Sequence, residues 1–146
     1  MAVRAITLSL AALTLAAAPK WTAVLQPTGD SRLSGSAVVE AVTPDSTRAS
    51  IQVAGARPGS DLAWHIHTGA CGGKGQIFGA QSAYSTLKAG PDGKATGSVT
   101  LAATLPASGE YSVTVHKSST DMTPAACGGL KPAGGPAPDS GMAPKP

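Results

Sequence analysis

Five residues stand out for the chemistry they could do together: the chain's three histidines and its two cysteines. All five fall in two short stretches and the loops that trail them. The first stretch is Trp64-His65-Ile66-His67, followed by Cys71. The second is Tyr111-Ser112-Val113-Thr114-Val115-His116, with Cys127 downstream. In a strand, residues two apart point to one face, so His65 and His67 project together, about 7 Å apart along the strand. Leu62, Trp64 and Ile66 then face the other way. The second stretch divides the same way, with Tyr111, Val113 and Val115 apolar and Ser112, Thr114 and His116 polar. If the two strands are neighbours, three imidazoles converge on the outer face of a sheet. That is a metal-ligand arrangement.

Three neutral imidazoles suit copper, zinc or nickel, and copper binds most tightly in the divalent series. The set is sufficient for Cu(I) and leaves Cu(II) room for water or a small oxygen ligand. Each ligating imidazole needs a partner for its other ring nitrogen. Asp121, five residues past His116, is the first candidate, and Asp61 is a weaker one. Met122 could add a soft sulfur near the site; the plainer expectation is a methionine packed under the loop.

Two cysteines in an exported chain most simply form one disulfide. The alternative is a pair of free thiolates on a metal. A Cys71–Cys127 bridge would close a loop of roughly 55 residues, stabilising the fold by about 4 kcal/mol in the chain-entropy model.

Export itself is read from the N-terminus. Arg4 supplies a positive start, Ala5 to Leu15 an apolar run, and Ala16-Ala17-Ala18 a small-residue cleavage site, so residues 1–18 read as a signal peptide. The apolar run is too short to span a bilayer comfortably. The mature chain is expected in the periplasm or secreted, with no membrane span. Removing Arg4 takes the formal charge from +3 to +2. The basic residues are scattered without interleaved aromatics, which argues against nucleic acid as a partner.

At 146 residues, with 18 Gly, 12 Pro and only five aromatic side chains, the composition favours short strands and turns over helices. Strands are expected at Trp21–Leu25, Ser34–Val42, Arg48–Ala54, Asp61–His67, Ala95–Ala103 and Tyr111–His116. Arg57-Pro58-Gly59-Ser60 and Gly90-Pro91-Asp92-Gly93 read as turns. Thr68 to Gly90 and Lys117 to Leu130 read as irregular loops, and loops of the first one's length are usually functional. Trp21 and Trp64 should supply much of the core's bulk. From Lys131 onward, Pro, Gly and Ala dominate, and an extended, disordered tail over 131–146 is expected. The fold class is all-β, a Greek-key β-sandwich or flattened barrel.

In matching order from about Trp21 to Leu130, several segments resemble the copper/zinc superoxide dismutase domain. They are Trp64-His65-Ile66-His67, Pro91-Asp92-Gly93-Lys94-Ala95, Val113-Thr114-Val115-His116 and Ala126-Cys127-Gly128-Gly129-Leu130. The resemblance implies an eight-stranded Greek-key barrel over residues 19–130 with copper bound outside it. It implies one copper ion on His65, His67 and His116, a Cys71–Cys127 disulfide, and superoxide as a partner of an antioxidant enzyme. The chordin-type repeat also has a His-x-His strand but lacks the Ala-Cys-Gly ending.

The departures from the family pattern matter as much. Gly72 to Pro91, where the family's zinc ligands and bridging histidine lie, contains no His, Asp or Glu. No zinc is therefore expected, and copper loses its bridging ligand. Pro124 stands where the family has an arginine above the copper; Lys117 or Lys74 are the nearby cations that could replace its charge. Three function classes follow. They are an exported copper-binding protein for sequestration or buffering, a copper-only superoxide dismutase with an altered proton route, and a metal-free structural envelope module.

Overall fold

The structure, a computed structural model, describes residues 17–134. The expected signal peptide and most of the expected tail lie outside the described residues. Among the described residues there are ten strands: β1 (Lys20–Pro27), β2 (Ser34–Thr43), β3 (Ser46–Ala54), β4 (Asp61–Leu62), β5 (Trp64–Thr68), β6 (Leu87–Lys88), β7 (Ala95–Leu101), β8 (Tyr111–His116), β9 (Pro124–Gly129) and β10 (Lys131–Pro132). A single 3-10 turn, Gln81–Ala83, sits between β5 and β6. The all-β expectation holds.

The main sheet is antiparallel and curls into a half-barrel, in the order β5-β8-β9-β1-β2-β3-β7 with β10 beside β1. β1, β2 and β3 form a meander, whereas β3–β7 and β5–β8 are neighbours far apart in sequence. The chain therefore crosses between sheet edges in the Greek-key manner. A two-stranded sheet, β4–β6, lies between those edges: β4 leads directly into β5, and β6 packs against β7.

Alternation explains the inward row of each long strand. Trp21, Ala23 and Leu25 are buried on β1, Thr47, Ala49, Ile51 and Val53 on β3, and Ala95, Val99 and Leu101 on β7. Trp64 and Ile66 from β5 meet Val113 and Val115 from β8 in the same core. Both tryptophans are core residues, as expected. Gly97 occupies an inward position on β7 because a Cβ there would stand 2.4 Å from the Leu87 side chain. Both predicted turns form: Ser60 N–H donates to Arg57 O at 3.1 Å, and Gly93 N–H donates to Gly90 O at 3.0 Å.

Three expectations are corrected. The strand read over Asp61–His67 changes partner at Ala63: Asp61–Leu62 pairs with Leu87–Lys88, and Trp64–Thr68 pairs with β8. The segment Lys117–Leu130 is not all loop, because Pro124–Gly129 forms β9 between β8 and β1. Its Pro-Ala-Ala-Cys-Gly-Gly composition has no β-branched residue and so carries no strand signal of its own. Tertiary crowding selects it instead, since a Cβ on Gly128 would lie 2.3 Å from the Val24 carbonyl oxygen. Lastly, Lys131 and Pro132, read as the start of the tail, pair with Thr22 and Trp21. The folded unit therefore runs past residue 130.

Candidate metal centre

The register of β5 on β8 sets the site. Trp64 pairs with Val115 and Ile66 with Val113 on the core side, while His65 pairs with Thr114 and His67 with Ser112 on the outer side. His116 ends β8 on that outer face, its backbone N–H donating to Ala63 O at 2.9 Å. One nitrogen from each of His65, His67 and His116 lies within 4.8 Å of the other two. These three residues form the one such His/Cys/Asp/Glu cluster among the described residues.

Although the histidines sit on the outer face, they are not solvated. His65 and His116 are buried, and His67 is half-buried, because the segments after β5 and after β8 fold over this end of the sheet. Ser112 and Thr114, polar residues of the same face, are buried with them. The disulfide Cys71–Cys127 forms, tying the first covering loop to β9. Thr114 Oγ1 lies 3.3 Å from the Cys127 sulfur. The two cysteines are therefore a crosslink, and the alternative of thiolate ligands is set aside.

Hydrogen bonding assigns the ring nitrogens. His67 Nδ1–H donates to Gly75 O at 3.2 Å, and His116 Nδ1–H donates to Met122 O at 2.8 Å. In each of these rings the carbonyl fixes tautomer and orientation and puts the lone pair on Nε2. His116 Nε2 accepts from His65 Nδ1–H at 3.1 Å. His67 Nε2 is buried and has no hydrogen-bond partner. A buried nitrogen of this kind is costly to leave unpaired, and an ion is one of the few occupants that relieves it.

The electrostatics match. Burial, then the neighbouring rings of His116 and His67, push the His65 pKa down to about 4. His116 also lies below the usual imidazole range, its burial outweighing the Met122 carbonyl that favours the charged form. His65 and His116 are therefore neutral at neutral pH, the form that ligates metal.

No family model and no curated protein matches this chain.

Above the nitrogens opens a cleft of about 660 Å³. Met122, Pro124, Gln81 and Ile77 are among the residues lining it, and among the described residues no charged side chain does. Lys117 faces elsewhere, its Nζ 3.8 Å from Asp30, and Lys74 does not line the cleft either.

Of the residues expected around the ligands, Asp121 is exposed and its carboxylate accepts from Thr123 N–H at 3.0 Å. The backbone carbonyl of Met122 takes the role expected of Asp121. Asp61 pairs with Lys88 at 3.1 Å on the surface. Met122 lies beside the site as expected, but its side chain is exposed and not packed under the loop.

Two contributors were invisible to side-chain chemistry. Gly75 must be glycine for its carbonyl to reach His67, since a Cβ there would overlap the Thr68 backbone. The glycine-dense run Gly72-Gly73-Lys74-Gly75 was the available signal. Tyr84 packs its ring against both His65 and Trp64, with centroids 5.1 and 5.2 Å apart, and its hydroxyl donates to Phe78 O at 2.7 Å. Burial raises its pKa to about 12, so it stays a neutral strut between the loop and the ligand.

Proposed function

We propose that this chain is an exported protein of the copper/zinc superoxide dismutase-like type that holds one copper ion on His65, His67 and His116 for sequestration or buffering. The observation that carries the reading is the partnerless, buried Nε2 of His67, which shares a 4.8 Å neighbourhood with a nitrogen of each of the other two rings. Carbonyl-braced imidazoles with no carboxylate among them are a nitrogen donor set that suits copper. Bound copper would supply one-electron redox chemistry; the chain supplies orientation, burial and a neutral lining.

The lining favours holding the ion over rapid turnover of an anion. Superoxide capture gains from preorganised positive charge, whereas no charged side chain among the described residues lines the cleft. Pro124, at the place of the family's arginine, lines the cleft and donates nothing. With no fourth histidine in the chain, protons for dismutation would come from water. The Cys71–Cys127 disulfide fits an oxidising compartment, periplasmic or extracellular.

A second reading, a copper-only superoxide dismutase, draws on the same cleft, whose opening over the three nitrogens leaves space for a small oxygen ligand. The two separate in one experiment. The mature chain is loaded with copper and its superoxide consumption compared with an equal amount of free copper. Sequestration predicts retention of copper after a chelator challenge with superoxide consumption below the free-ion control. Consumption well above that control would establish the enzyme reading. Loss of all copper to the chelator would defeat both and leave the metal-free structural module.

A further inference from the structure

We propose that Met122 is a thioether ligand to copper in its monovalent state, making this a site that holds Cu(I) in preference to Cu(II). The inference rests on the copper reading of the same three histidines and extends it to the oxidation state they retain.

Three observations place Met122 for this. Its carbonyl oxygen is bound to His116 Nδ1 at 2.8 Å, so the Met122 backbone is fixed beside a ligating ring. Met122 lines the same cleft as His65, His67 and His116. It is also 44% exposed, one of three large apolar side chains left at the surface among the described residues. Burial of apolar area therefore does not account for the choice of residue. A long, unbranched side chain ending in a polarisable sulfur, anchored at the rim of a nitrogen site, reaches readily toward the ion.

The charge balance points the same way. The cost of bringing an ion out of water rises with the square of its charge, and protein anions normally offset it. Here the ligands are neutral and no charged side chain among the described residues lines the cleft, while Asp121 is exposed to solvent, which screens its charge. The divalent ion thus meets a larger uncompensated charge than the monovalent one. Thioether sulfur also selects Cu(I) by softness, while imidazole accepts either state.

The test compares wild type, Met122→Leu and His116→Ala in two competitions. One is anaerobic, with Cu(I) against a chromophoric Cu(I) chelator; the other is in air, with Cu(II) against a Cu(II) chelator. Leucine keeps the bulk and leaves the carbonyl on His116 untouched. Met122→Leu is expected to weaken Cu(I) about tenfold, the lower end of what outer partners of a metal site contribute, with Cu(II) affinity unchanged. X-ray absorption of the Cu(I) form should show a sulfur neighbour that the variant loses. If Met122→Leu changes neither affinity, or both equally, copper binding stands and the Met122 assignment falls. If the wild type holds copper in neither state, the copper reading falls and takes this inference with it.

Discussion

His65 is held neutral by burial and by two neighbouring rings, and that has a measurable consequence without any metal. Its folded pKa of about 4 lies below the ordinary 6.5. The unfolded chain therefore binds the proton first as pH falls. Stability supported by neutral His65 is complete above about 6.5 and is lost as pH drops toward 4. The urea midpoint of the metal-free protein should fall across that window, and His65→Gln should flatten the slope. A wild-type midpoint independent of pH there would show that His65 is not buried as described. Gly75 offers a sharper residue-scale test. Gly75→Ala pushes the loop off Thr68 and withdraws the carbonyl from His67, so metal affinity should drop about 10- to 100-fold with the fold retained. An unaltered affinity would make the brace dispensable.

Between elements, the site depends on two covering segments being pinned onto β5, β8 and β9. The bridge between Cys71 and Cys127, 56 positions apart, does much of this pinning. Replacing both cysteines by serine should destabilise the protein by about 2–5 kcal/mol in urea titrations. It should also weaken metal binding, because Gly75 lies in the freed loop. Loss of stability with full metal affinity would mean the loop holds its place without the bridge. β9 shows where pattern reading stops. β3, β7 and β8 announce themselves by alternating apolar and polar residues, and β1 and β2 by apolar runs bounded by turn residues. Pro124–Gly129 becomes a strand only because Gly128 lets β1 approach. Gly128→Val should therefore cost about 1–3 kcal/mol, in the range of an overpacked core position, seen as a lowered thermal midpoint. The histidine cluster itself was legible, because a His-x-His strand and a lone strand-end histidine keep their face by period two. Their braces were not, since Gly75 O and Met122 O are main-chain atoms that residue identity does not reveal.

At the scale of the molecule, a half-barrel core fixes β5 against β8 and leaves one end to two loops and a metal-sized gap among imidazoles. Binding of an ion there adds to folding stability by mass action, by about 2.7 kcal/mol when free metal is a hundredfold above Kd. Chelation should return the thermal midpoint to its metal-free value. The core does not depend on a bound ion, since Trp64, Ile66, Val113 and Val115 are buried on the opposite face from the three histidines. The metal-free chain should remain folded and cooperative at neutral pH.

In the proposed metal site, rings from two separate strands share a single ion. Pulsed electron paramagnetic resonance of the Cu(II)-loaded protein counts coordinated imidazoles directly. For the proposed site three are expected in the wild type, matching His65, His67 and His116, and two in His116→Ala. A count that stays the same when His116 is removed would contradict it.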